Sequence, residues 1–443
     1  MASAPRGLII AAPASGSGKT TVTLGLLRAL RRRGLAVQPF KCGPDYIDPA
    51  FHTAAAGRVS VNLDTWAMRP RLIAGLAQSH GAGSALCVAE GVMGLFDGAG
   101  VPGHFGNGST ADLAALTGWP VVLVLDVAAQ AETAAAIVLG CKTYRSDITL
   151  AGVVLNSIAS AYHEHVISDA INACDVPVLG TMPRTAGLSL PERHLGLLQA
   201  SETNAIEARL DAIADAVSEG VDLNAVIAAA TPLTLEHCGE AMPVSVQPPG
   251  QRVAVAHDSA FSFFYPHVIG GWQQSGAEVV HFSPLADEAP PADCDAIWLP
   301  GGYPELHAET LANAAHFKDG MRAAGARAIP IHGECGGYMV LGAGLEAADG
   351  NRYEMLGLLS LETSFAKRQL HLGYRRAEYL DESGNARPGD AAVGHEFHFA
   401  TILANKDSPM AQITDARGMP VTDGGARRGT VTGTFFHVID RAS

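Results

Sequence analysis

Over the first half of the 443-residue chain, short runs that are apolar at nearly every position alternate with longer stretches in which apolar residues recur every three or four positions. Unbroken apolar runs mark strands covered on both faces, and the wider spacing marks helices with one buried face. Strands are predicted over 8–12, 36–40, 85–90, 121–126, 151–156 and 177–181, with a helix over 20–30 soon after the first. Such alternation predicts a doubly wound, mostly parallel α/β sheet with helices on both faces, and puts ligand chemistry beyond the carboxyl ends of its strands. The charge-poor, proline-rich stretch 241–250 (AMPVSVQPPG) cannot continue a helix, and is expected to link a first domain, 1–240, to a second, 251–443. There the pattern restarts, with strands expected over 253–257, 278–282, 296–300 and 328–332, and becomes more strand-rich toward the C-terminus.

The first strand-to-helix junction reads Pro13-Ala14-Ser15-Gly16-Ser17-Gly18-Lys19-Thr20-Thr21. This is the layout of a phosphate-binding loop. Gly16 and Gly18 let backbone N–H groups turn inward, Lys19 can reach terminal phosphates, and the Thr20 hydroxyl can hold Mg²⁺; Ser15, Ser17 and Thr21 complete the nucleotide-binding set. Pro13 stands where the G-x-x-x-x-G-K-[ST] pattern has its first glycine.

Beyond the second strand, Asp45 and Asp48 flank Tyr46 and Ile47, with Tyr46 a candidate substrate contact. Two such carboxylates beside a phosphate loop can complete an oxygen shell for Mg²⁺ and take part in phosphoryl transfer; the other reading is a solvated turn capped by aspartates. Glu90 ends the third strand, where a buried acid is costly unless paired or bound to metal, which makes it a candidate metal ligand with Thr20 and Asp45; the other reading is a hydrogen-bonded strand end. Asn156 ends a later strand with an amide able to read an adenine edge. Arg193 and His194, adjacent in LPERHLGL, are candidates for gripping a carboxylate-bearing substrate.

Composition narrows the partners. With 30 basic and 44 acidic residues the formal charge is −14, which argues against nucleic acid. No apolar stretch has the length and purity of a membrane span. The seven scattered cysteines form no CxxC pair, so a reduced, cytoplasmic protein is expected.

One of those cysteines stands apart. The run 328–332 leads into Gly333-Glu334-Cys335-Gly336-Gly337, the G-x-C-x-G form of a nucleophile elbow, whose following helix N-terminus is expected to lower the thiol pKa. Leu299-Pro300-Gly301-Gly302 ends another strand with paired glycines, so backbone N–H groups near Gly302 and Gly336 are expected to hold an oxyanion. His437, after a late apolar strand, is the expected base, with His371, His395 and His398 as rivals.

In order, the segments ASGSGKTTVTLGL, KCGPDYIDPAFH, LPERHLGL, LPGGYPELH, GECGGYMVLG, HLGYR and HEFHF resemble the cobyrinic acid a,c-diamide synthase family along essentially the whole chain, and most of all its aerobic-pathway branch. The resemblance implies a P-loop synthetase domain similar to dethiobiotin synthetase, fused to a class I glutamine amidotransferase α/β domain. It implies ATP, Mg²⁺ and glutamine as co-substrates, amidation of the a and c acetates of hydrogenobyrinic acid through an acyl phosphate in cobalamin biosynthesis, and a homodimer. By position it makes Cys335 the nucleophile and His437 its activator, with Asp45, Asp48 and Glu90 in the ATP and metal region. Cobyrinic acid, which carries cobalt, and the substrate of cobyric acid synthase are the alternatives within the superfamily. A phosphate-loop regulatory ATPase with a vestigial thiol site is the alternative of another class. Other class I members carry a glutamate two residues after the histidine; here that residue is Ile439, leaving Asp440 or a backbone carbonyl as candidates to orient the imidazole.

Overall fold

The N-terminal apolar run becomes the middle of a sheet. In the computed structural model, which describes residues 4–184, 203–235, 243–381 and 386–442, Leu8, Ile9 and Ile10 are completely buried. They lie on β1 (Arg6–Ala11), which pairs in parallel with β4 (Leu86–Glu90) on one side and β5 (Val121–Asp126) on the other. With β2 (Val37–Cys42), β3 (Val61–Leu63), β6 (Leu150–Ile158) and β7 (Val178–Pro183) the order is β3-β2-β4-β1-β5-β6-β7, all parallel; β8 (Thr231–Pro232) adds antiparallel to β1.

The chain thus travels outward from β1 through β2 to β3, then reverses through β4 toward β7. Right-handed crossovers in opposite directions put their helices on opposite faces, and the reversal opens a crevice at the strand ends. Two helices border that crevice, α1 (Lys19–Arg32) and α2 (Asp48–Ala56). α1 is seated by Val22, Leu24, Leu26, Leu27 and Leu30, all at most 1% exposed, each contributing roughly 1.5–3 kcal/mol of burial. The short β3 and β8 are not marked by the apolar pattern, since neither is long enough to show a period.

The chain divides into two units, Met1–Met242 and Pro243–Ser443. In the second, β9 (Arg252–Ala256), β10 (Glu278–Phe282), β11 (Ala296–Leu299) and β12 (Ile331–Glu334) form a parallel sheet ordered β10-β9-β11-β12, extended by Val431–Thr434 and, antiparallel to it, Ala426–Arg428. An antiparallel sheet carries Ala411–Asp415, His371–Tyr379, Ala391–His398 and Phe436–Arg441 in that order.

One strand is displaced from its expected place. β12 starts at Ile331, not at 328, because Ala328 turns with φ 58° and Pro330 has no N–H to give to a ladder. The strand therefore ends on Glu334, and Cys335 takes the turn. Among the described residues no helix is long and apolar enough to cross a membrane.

Candidate functional sites

The phosphate loop spans β1 and α1. Gly18 caps the helix with φ 93°, and any side chain there would collide with the Asn156 amide. That amide is committed to the loop, its Nδ2 donating to the Ser17 carbonyl at 3.1 Å. Ser15 and Gly16 are exposed at the crown, the Ser17 hydroxyl donates to Ala14 O at 2.9 Å, and Thr21 is half-buried in the first turn of the helix. Lys19 lies inward, only 8% exposed, its Nζ donating to the Met93 carbonyl at 2.7 Å.

Beneath the loop sits a set of charges that burial would expel if they were single. Lys41 and Glu90 face each other across the parallel ladder of β2 and β4. Lys41 Nζ stands 2.6 Å from Asp48 Oδ2 and 3.1 Å from Glu90 Oε1, and all three side chains are at most 4% exposed. Burial disfavours the Lys41 ammonium, but Asp48, Glu90 and Asp45 outweigh it and hold its pKa above the ordinary lysine value. Burial likewise opposes the Glu90 carboxylate, yet Lys41 and His52 hold its pKa below the usual carboxylate range against the repulsion of Asp48. His52 Nε2 lies 2.6 Å from Glu90 Oε2, and since an ionised carboxylate only accepts, that nitrogen carries the proton.

Thr20 Oγ1 donates to Glu90 Oε1 at 2.7 Å. Two hard oxygens at that spacing suit neighbouring places on a cation with bonds of roughly 2.0–2.1 Å that keeps several waters, so this donor set fits Mg²⁺. Asp45 is turned to its own backbone, its Oδ1 accepting from Ile47 N at 2.8 Å and from Asp48 N at 3.3 Å; Tyr46 beside it is buried.

In the second unit Cys335 adopts φ 46°, ψ −105°, a strained turn between β12 and the short helix Gly336–Leu341. Its N–H donates to the Thr434 carbonyl at 2.7 Å. The Gly301–Gly302 loop abuts it: a methyl group on Gly301 would stand 2.8 Å from His437 Nε2 and 3.3 Å from Cys335 Cβ, so the missing side chain leaves open the space between cysteine and imidazole. His437 is fully buried, and its Nδ1 lies 3.4 Å from Glu334 Oε2, while Glu334 Oε1 accepts from Val438 N at 3.0 Å. A carboxylate thus does stand behind the imidazole, supplied by the residue before the cysteine.

The rival imidazoles are placed differently. His395 lies opposite His437 in the ladder, and burial pushes its pKa down to about 3. His398 is 2.9 Å from Glu396 Oε1 and stacked between His371 and Phe435, and Glu396 is also paired with Arg375. The thiol departs from expectation. Burial raises its pKa, Glu305, Glu396 and Glu334 raise it further, and the Gly336 N–H offsets only part of this. A helix of one and a half turns gives too weak a field to reverse burial beside three acids.

Two family models match the chain: a CobQ/CobB/MinD/ParA nucleotide binding domain over residues 8–198, and a CobB/CobQ-like glutamine amidotransferase domain over residues 252–443. Hydrogenobyrinate a,c-diamide synthase of Rhodobacter capsulatus is 54% identical over 440 residues, covering 99% of this chain and 100% of that protein. The chain belongs to the hydrogenobyrinate a,c-diamide synthase family. Proteins of the same name from Mesorhizobium japonicum and Rhizobium meliloti are 54% and 52% identical, covering 99% and 98% of this chain and 99% of each protein.

As a member of the hydrogenobyrinate a,c-diamide synthase family, the chain carries a nucleotide-binding unit and a glutamine amidotransferase unit, both α/β. Thr20, Glu90 and Lys19 converge at one place in the first unit, and Cys335, His437 and Gly301 in the second. Arg193 and His194 lie outside the described residues. Pattern reading gives no role to Lys41, His52 or Glu334. His52 carried a signal, four residues after Asp48 on one helix. Glu334 carried none until the true start of β12 was known.

Proposed function

We propose that the protein amidates the a and c acetate carboxylates of hydrogenobyrinic acid, using ATP and glutamine, in cobalamin biosynthesis. The observation that carries this reading is the pairing, in one chain of this family, of a lysine and hydroxyl phosphate loop with a thiol, imidazole and carboxylate row. In the second unit the buried, protonated Cys335 would pass its proton to His437 as sulfur attacks the glutamine carboxamide, with N–H groups near Gly302 and Gly336 facing the oxyanion. His437 would return that proton to the departing ammonia and then activate water, which releases glutamate from the thioester. Glu334 would stabilise the imidazolium.

In the first unit a corrinoid carboxylate oxygen would attack the γ-phosphorus of ATP, with ADP leaving, and ammonia would then displace phosphate from the acyl phosphate. Lys19 would exchange the Met93 carbonyl for phosphate oxygens, a stronger, charge-assisted partner. Thr20 and Glu90 are the residues that would hold Mg²⁺, which supplies neutralisation of phosphate charge when bound. Lys41 and His52 keep Glu90 ionised, and Asp48 holds the Lys41 ammonium beside it. Asp48 would act on the site through Lys41, and Asp45 through the helix start whose N–H groups it accepts from.

Product mass decides the matter: purified protein with ATP, glutamine and hydrogenobyrinic acid should yield the diamide, with none from cobyrinic acid. Amidation of the cobalt acid alone overturns the choice of substrate, and amidation of neither overturns the reading. Glu334→Gln is expected to lower glutaminase kcat by about 10²-fold while ammonia-dependent amidation persists. An unchanged kcat would mean that Glu334 only holds the Val438 N–H.

A further inference from the structure

The loop of Gly301 and Gly302 continues into a 3₁₀ turn, Pro304–Leu306, which holds a carboxyl group that the chemistry above does not use. The turn rests directly on the elbow, since a methyl group on Gly336 would stand 2.9 Å from both Gly302 N and Pro304 Cδ. Glu305 is half-buried there, and among the described residues its side chain has no hydrogen bond or ion pair to another residue. Burial pushes its carboxyl up to about 7, with its own backbone N–H and the exposed Arg368 offsetting only part of the effect. Of the three acids that raise the Cys335 thiol, Glu305 acts most strongly.

For the free protein this arrangement is unfavourable twice over. A carboxylate loses hydration without gaining a partner, and a negative charge opposes thiolate at the nucleophile. Both penalties vanish if the substrate brings a cation. Glutamine carries one, four bonds from the carbon that the thiol attacks.

We infer that Glu305 binds the α-ammonium group of glutamine and sets the preference of the amidotransferase unit for an α-amino amide over a simple carboxamide. This rests on the glutaminase reading of Cys335. Binding then also makes the thiol easier to ionise, because the ammonium cancels the acid that opposes thiolate most strongly. Glu396, Glu334 and His437, the other groups that face the thiol, are unaltered by this.

The test compares glutamine with glutaramate, which lacks only the amino group, as substrates of the full chain. Glu305→Gln is expected to raise the glutamine KM about 10- to 100-fold, to change kcat far less, and to leave the glutaramate KM in place; Glu305→Asp should recover part of the preference. Without substrate, iodoacetamide should alkylate Cys335 faster at pH 7 in Glu305→Gln than in the wild type, with Cys335→Ala as the background. A merely structural role would not speed that reaction. An unchanged ratio of glutamine to glutaramate, or slower alkylation, overturns the assignment. A wild-type protein that hydrolyses neither amide overturns the glutaminase reading as well, so the two failures are told apart.

Discussion

A Cys335→Ala variant is expected to lose glutamine-dependent amidation by about 10⁴-fold or more and to keep amidation driven by high free ammonia. Cys335 is 3% exposed and its thiol donates a long hydrogen bond, 3.9 Å, to the Phe397 carbonyl, so removing one sulfur leaves the elbow and its backbone bond to Thr434 in place. On the proposed mechanism what would disappear is the covalent intermediate, since His437 would have no nucleophile to deprotonate. Measuring diamide with each nitrogen source separates the possibilities. Loss of both activities contradicts separate sites for freeing and using nitrogen, and surviving glutamine-dependent turnover removes Cys335 as the nucleophile.

Lys19→Ala should lower amidation by about 10³-fold whichever nitrogen source is supplied, while glutamine hydrolysis continues. Lys19 Nζ rests on the Met93 carbonyl, a neutral acceptor that phosphate oxygens would displace, and on the proposed reading the ammonium would then face charge that develops on the transferred phosphoryl group. The variant retains the left-handed Gly18 turn and the Asn156 bond to the loop, so the fold of the loop survives the loss of the amine. ADP release with each nitrogen source is the measurement, and undiminished release would mean that residues 13–20 are not the ATP site.

The parts of the molecule legible in the amino-acid order alone are those made by neighbours in the chain. β1, its glycine turn and α1 occupy one continuous stretch, as do β12 and the cysteine elbow, and each announces itself through period, glycine and a reactive side chain within a few residues. The alternation of strand and helix likewise implied parallel sheets, because a parallel pair requires a crossover. Burial reversed the one local argument that ignored it, the lowered thiol pKa.

What the folded chain alone decided are partnerships between distant positions. Lys41 meets Glu90 across 49 residues and His52 meets it across 38, because strand order sets β2 beside β4 in a register that no pattern within either strand encodes. The carboxylate behind His437 comes from Glu334, roughly a hundred residues earlier, and not from the residues that follow the histidine. Periodicity tells a side chain which face it occupies; only packing tells it what stands opposite, and at these two sites the opposite group carries the charge.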